Sequence, residues 1–318
     1  MIAFGTAVTD PETYERCAMP GIQRASEPDS LVLHHGTAGS VFRNYNVLLD
    51  EAGAREDLEA LVLLHQDVEL ADDDFGDRIR AVLEDPDVAV IGCAGAVGVR
   101  SIAWWQGAIR WASLTHRYSE HTGGEFPALA WDPDAVPAHA TPGEVDSIDG
   151  LVIVLSAWAV RNLRFDESLG NLHGYDFDIC MQAKEARKKV YAADFRAIHH
   201  HSLELISDPE AWMAAFIRLS EKWQHLLSDD GADPEWRALR ADAEAACARA
   251  LMVSHQYRAT AIGRHLTKAN LALGSTREEL DAARRELIEL RAKLAAAEAE
   301  QESLRAEGRV ASPEADGL

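Results

Sequence analysis

Short apolar runs alternate with helix-like segments through the first two-thirds of this chain, and that rhythm restricts the fold more than any other feature. Ile2 to Val8 reads as a strand. Pro11 to Arg16 starts a helix, with Asp10 as its N-cap and Pro11 at the first helical position. Leu31 to His34 is a second strand, and Ser40 caps a helix that reaches about Ala52 and ends at Gly53. Ala60 to Leu64 is a third strand, Asp74 to Leu83 a helix and Val88 to Cys93 a fourth strand. This order implies an α/β fold, with a mainly parallel central sheet and right-handed crossovers. In such sheets ligands bind beyond the carboxyl ends of the strands.

The rhythm breaks between Gly95 and Glu144, where Trp104, Trp105, Trp111, Trp131, Gly123-Gly124 and several prolines indicate loops and short strands inserted over the sheet. Apolar periodicity resumes at Val145 to Val154. A helix is expected at Tyr175 to Arg187, a strand at Val190 to Ile198, and a helix from Asp208-Pro209-Glu210 to about Leu227. After Asp229-Asp230-Gly231 the composition shifts to Ala, Glu, Arg and Leu. From Leu280 the apolar spacing becomes three, four, three, four: Leu280, Ala283, Leu287, Leu290, Leu294, Ala297, then polar Gln301, then Leu304. That is a coiled-coil seam, which Leu266, Ala269 and Leu273 extend less regularly upstream. The expected organisation is an α/β domain over 1–230, a helical coiled-coil oligomerisation region over 231–307 and a disordered tail over 308–318.

A net charge of -22 argues against nucleic acid as the general partner and against docking on an anionic membrane. An apolar fraction of 47% supports a real core. Cys17, Cys93, Cys180 and Cys247 lie far apart without zinc-site spacing, and Cys93 and Cys180 read as core residues. No apolar stretch reaches membrane-spanning length, and the opening residues lack a basic start followed by an apolar signal core. The expectation is a cytoplasmic protein without a membrane span.

Three polar segments sit at the edges of apolar ones: Leu64-His65-Gln66-Asp67-Val68, His173-Gly174-Tyr175-Asp176-Phe177-Asp178, and His199-His200-His201-Ser202. Acidic and imidazole groups at the ends of buried strands carry a cost unless something pairs with them. A divalent metal with a phosphate-bearing ligand accounts for all three together. Each also has a plainer explanation. His65 and Asp67 fit a strand end running into a turn, Asp176 or Asp178 fits a helix N-cap, and the histidines fit a surface cluster. In an extended chain His199 and His201 face one way and His200 the other. Asp176 and Asp178 together suit a general base and a supporting carboxylate.

In order and spacing these segments resemble the family 2-type glycosyltransferases of GT-A fold, nearest the streptomycin-biosynthesis-like group of actinobacteria and their phages. The resemblance covers about Ile2 to Leu227. It puts His65-Gln66-Asp67 in the place of the metal-binding Asp-x-Asp motif, and the segment from His173 to Asp178 in the place of Gly-Glu-Asp-x-Asp, with Asp176 as base. The terminal histidines fall on a late metal-ligand position, which implies Asp67, His199 and His201 as ligands of Mn²⁺ or Mg²⁺. Tyr45-Asn46 matches the Arg-Asn of the helix beneath the nucleotide, and Asp149-Gly150 the strand beside donor sugar and acceptor. His65, Asp67, Asn46 and Thr9 would then contact the nucleotide. Asp149, Gly150, Tyr175, Asp178, Trp104 and Trp105 would border the sugars. The tryptophans equally suit core or interface packing. Two positions depart from the pattern: His65 stands for the usual first Asp, and Tyr175 for the usual Glu. The implied activity is inverting transfer of a sugar from a nucleotide-diphosphate donor to a hydroxyl acceptor. Two rivals are a sugar-phosphate nucleotidyltransferase, which Gly5-Thr6-Ala7-Val8-Thr9 disfavours by lacking a second glycine and a lysine, and a non-catalytic sugar-nucleotide-binding or assembly protein.

Overall fold

The apolar runs form strands whose alternate side chains enter two different cores. Along Ala60–His65, Leu61 and Leu63 join one buried cluster, while Ala60, Val62 and Leu64 join the other. Both faces of the sheet are covered, so the run is continuously apolar rather than alternating. The computed structural model describes residues 1–37, 39–118, 124–126, 141–200, 206, 208–227 and 236–310. The expectations on Trp131, Gly123, His201, the 230/231 boundary and residues 311–318 lie outside the described residues.

The strands in chain order are β1 (Ile2–Ala7), β2 (Leu31–His35), β3 (Ala60–His65), β4 (Val68–Leu70), β5 (Val88–Gly92), β6 (Ala94–Val97), β7 (Ala108–Ala112), β8 (Leu114–Tyr118), β9 (Gly124–Phe126), β10 (Gly143–Val145), β11 (Ser147–Ile148), β12 (Val152–Ser156), β13 (Lys189–Ala192) and β14 (Ala197–His199). The central sheet has the order β10-β13-β5-β12-β3-β1-β2. Strands β2, β1, β3, β5 and β13 run one way, and β12 and β10 run against them. The expected parallel sheet is therefore mixed: antiparallel β12 separates β3 from β5. Smaller sheets, β11-β6-β7 and β4-β14-β8-β9, take up the segment expected as an insertion.

The helices are α1 (Pro11–Thr13), which runs through a π-turn (Tyr14–Ala18) into α2 (Met19–Ala25), then α3 (Val41–Gly53), α4 (Phe75–Leu83), α5 (Ala157–Asn162), α6 (Tyr175–Glu185), α7 (Pro209–Lys222), α8 (Gln224–Leu227) and α9 (Trp236–Val310). The caps expected at Asp10 and Ser40 are present, and Asp208 caps α7. The Asp10 carboxylate accepts from the amides of Glu12 and Thr13, the Ser40 hydroxyl from Arg43, and the Asp208 carboxylate from Ala211. Cys93 and Cys180 are fully buried, as expected.

The strand expected over Val190 to Ile198 is two strands in two sheets. Strand β13 pairs with β5, and after a turn β14 pairs with β4 and β8. The turn is pinned by polar contacts. The Ser113 hydroxyl lies 2.7 Å from the Phe195 carbonyl and 3.0 Å from that of Cys93, and the Arg196 amide donates to Asp72 (2.6 Å). This crossing carries His199 to the end of β3.

Contacts divide the chain into one unit over Met1–Ala261 and another over Ile262–Leu318. The start of α9 belongs to the first: Leu239, Ala243, Ala246, Cys247 and Ala250 are buried in its core. In the second unit Leu266, Leu273, Leu280, Leu287, Leu290 and Leu294 are exposed.

Candidate functional site

Strand β3 ends at His65, and a turn through Gln66 and Asp67 leads into β4. Gln66 ties this turn to the end of β1, its Oε1 accepting from the amides of Thr9 (2.8 Å) and Asp10 (2.9 Å). Thr9 is thereby fixed against the motif. Strand β14 runs antiparallel to β4, with His199 opposite Val68, and the His200 amide donates to the Asp67 carbonyl (2.8 Å). The side chains alternate as an extended chain requires. His199 Nε2 lies 3.4 Å from Asp67 Oδ2, whereas His200 Nε2 lies 3.0 Å from Glu69 Oε2.

One ligand atom from each of His65, Asp67 and His199 lies within 4.8 Å of the others, and all three residues are half-buried. Two imidazoles and a carboxylate converging at the end of a parallel strand suit a divalent ion of borderline hardness such as Mn²⁺. His65, which the resemblance carried over as a nucleotide contact, thus stands among the candidate ligands. His116 on β8 packs against His199, ring centroids 5.2 Å apart. Nothing in the alternating segment from Leu114 to Tyr118 singled it out.

Helix α6 starts at Tyr175, after Gly174 in left-handed conformation (φ 82°), where a Cβ would meet Leu219. Asp176 lies in its first turn, its Oδ1 accepting from the Phe177 amide (2.9 Å). Burial, reinforced by the neighbouring charge of Asp149, raises the Asp176 carboxyl to about 7, while the amides of Phe177 and Gly150 pull it down in part. Asp149 is differently held: its Oδ2 accepts from Trp104 Nε1 (3.1 Å) and its Oδ1 from the Leu151 amide (3.0 Å). The Tyr175 hydroxyl donates to the Gly150 carbonyl (3.2 Å) and lies against His65 Nε2. Tyr45, on α3, packs edge-on to the Tyr175 ring, centroids 5.5 Å apart. Its buried hydroxyl has no hydrogen-bond partner among the described residues, and burial with the charges of Asp67 and Asp176 holds its pKa well above the usual phenol value.

Some expected site residues are occupied elsewhere. Asp178 is 0% exposed and accepts from Trp223 Nε1 (2.8 Å) and Gln182 Nε2 (2.7 Å), with Lys222 Nζ at 2.8 Å. One helical position is about 100° of rotation, so Asp178 lies on a different face from Asp176 and packs against the end of α7. Asn46 bridges Phe165, accepting from its amide and donating to its carbonyl, both at 2.9 Å. Trp104 is buried against Asp149. Trp105 stacks on Trp212, centroids 6.2 Å apart and planes at 30°.

Residues 3–209, about two-thirds of the chain, match the model of a family described as "Glycosyltransferase like family". A curated relative, the streptomycin biosynthesis protein StrF of Streptomyces griseus, is 29% identical over 206 residues, covering 64% of this chain and 67% of its own. Two solved structures are loosely similar. The mannosyltransferase PcManGT of Pyrobaculum calidifontis, in complex with GDP-Man and Mn²⁺, is 12% identical with a TM-score of 0.42, covering 86% of this chain and 80% of its own. GalNAc-T7, with UDP, GalNAc and Mn²⁺, is 9% identical with a TM-score of 0.46, covering 77% of this chain and 54% of its own. The family match extends through all three polar segments and both ends of the central sheet, and the chain belongs to this glycosyltransferase-like family.

Proposed function

We propose that this glycosyltransferase moves a sugar from a nucleotide-diphosphate donor to a hydroxyl acceptor in a single inverting displacement, with Asp176 as general base. The observation that carries this reading is the pairing of a cation-ready cluster, His65, Asp67 and His199, with a carboxyl raised to about 7 at the start of α6. A base works best when its pKa lies near the operating pH, because it is then both ionised and willing to take a proton. Asp176 meets that condition, while both Asp149 oxygens are engaged by donors. In the reaction Asp176 takes the acceptor hydroxyl proton as the oxygen attacks the anomeric carbon and the bond to diphosphate breaks. His65, Asp67 and His199 would hold a divalent ion, which supplies Lewis-acid stabilisation to the leaving diphosphate when bound. Mn²⁺ suits the imidazole-rich set better than the harder Mg²⁺.

Asp176→Asn tests the base. Transfer should fall by ~10²–10⁴-fold with donor affinity within a few-fold of the parent. Near-parental turnover by the folded variant would remove Asp176 from the role. No helix among the described residues is long and apolar enough to cross a membrane. The four cysteines are buried and unbridged, which fits a reducing compartment such as the cytoplasm. We further propose that residues 266–304 of α9 pair with a second copy of the chain.

A further inference from the structure

The two positions that depart from the family pattern, His65 and Tyr175, touch each other. The Tyr175 hydroxyl meets His65 Nε2 and lies 3.2 Å from the Gly150 carbonyl. A phenol carries one proton, and a carbonyl oxygen can only accept. With that proton on the Gly150 carbonyl, the phenol oxygen is the acceptor toward His65, and Nε2 carries the imidazole hydrogen. The neutral ring then keeps its lone pair on Nδ1.

The phenol itself is held firmly. Its ring is 5% exposed and packs edge-on against Phe42 and Tyr45, with centroids 6.1 Å and 5.5 Å away. Gly150 permits the approach, because a Cβ there would stand 2.6 Å from the Tyr175 oxygen. We propose that Tyr175 is a positioning residue, which fixes the His65 tautomer so that Nδ1 is the nitrogen offered to the cation. This rests on the metal reading above. It also explains the paired departures: a histidine in the first motif position needs its second nitrogen oriented, and the tyrosine at the start of α6 supplies the partner. Ligand-orienting partners of this sort typically contribute ~10–100-fold in metal affinity.

The test uses the full-length chain labelled with ¹⁵N. Long-range ¹H–¹⁵N correlation should show His65 with a protonated Nε2 in the parent, and a mixed or reversed tautomer in Tyr175→Phe. Titration with Mn²⁺ alone, followed by calorimetry, should show ~10–100-fold weaker binding by Tyr175→Phe. In a His65→Asp background, which has no imidazole to orient, the same change should have little further effect. A parent that binds no Mn²⁺ would end the metal reading and this proposal with it. A parent that binds Mn²⁺, with an unchanged tautomer and affinity in Tyr175→Phe, would overturn the positioning role alone.

Discussion

Asp149, Asp176 and Asp178 lie close in the sequence or the fold, yet their surroundings give them different tasks. Asp178 is buried but fully supplied with donors, from Lys222, Trp223 and Gln182. Asp149 is divided between an indole and an amide. Asp176 has burial and a like charge beside it, and its carboxyl stands at about 7. That has a consequence for stability as well as for catalysis. A carboxyl raised in the folded state binds its proton more tightly there than in the unfolded chain. Stability is therefore lost as pH rises from the unfolded value, near 4, to about 7, and the full cost persists above that. Asp176→Asn mimics the neutral acid and removes the cost. The variant should differ least from the parent in denaturation experiments near pH 3.5 and gain on it by up to about 4 kcal/mol by pH 8, since each pKa unit between the unfolded value and about 7 corresponds to ~1.4 kcal/mol. Equal differences at both pH values would mean that Asp176 is not strained in the fold. In the parent, kcat/KM should rise across the same interval as the base ionises.

Between elements, the decisive contacts are polar groups that bind one segment to another. Asp178 holds α6 to the end of α7 through Lys222 and Trp223, and Lys222 also reaches Asp166 (2.7 Å) at the start of the 3₁₀ turn Glu167–Leu169. Lys222→Met would leave a carboxylate buried without its cation, which costs ~3–5 kcal/mol, whereas Asp178→Asn leaves no charge stranded and should cost less. Urea denaturation of the two variants ranks them, and the reverse order would show that the ion pair does not secure the helices. Such contacts also explain what the sequence made legible. Strand runs, caps and the helix start at Tyr175 depend on neighbours in the chain, and they were readable. The break between β13 and β14 depends on Ser113 and Asp72, about 80 and 120 residues away, so Val190 to Ile198 looked like one strand. Asp178 groups with Asp176 in the sequence reading although two positions along the expected helix already lie on different faces; what neighbours in the chain could not show is that distant Trp223 and Lys222 claim its carboxylate. Asp67 and His199 were legible as a ligand pair, whereas His65 reads from the sequence as a nucleotide contact and His201 as the third ligand. The Tyr175 contact to His65 was not legible, because it needs the missing side chain of Gly150.

At the scale of the whole molecule, α9 serves two units by different chemistry. Its first turns place Leu239, Ala243, Ala246, Cys247 and Ala250 in the core of the first unit. Farther along, Leu266, Leu273, Leu280, Leu287 and Leu294 recur every seventh residue, and all five are exposed in the single chain. A strict seven-residue repeat drifts only slowly around a helix, so these leucines form one narrow stripe, with Ala269, Ala283 and Leu290 on its other edge. Leaving that stripe in water forfeits about 25 cal/mol per Å² of apolar surface, and a second copy of the same stripe covers it in register. Gln301 continues the leucine positions, and a polar group there favours one alignment over others at some cost in stability. The expected outcome is a self-associated enzyme whose linked active sites gain avidity for a polymeric acceptor. Changing Leu280, Leu287 and Leu294 together to Glu should yield monomers by light scattering at micromolar concentration, with the activity of each active site retained. Truncation after Ala261 should do the same, whereas truncation near 230 would also remove buried residues of the first unit and destabilise it. A parent chain that is already monomeric under those conditions would refute the pairing, and would require the stripe to be covered by something other than its own copy.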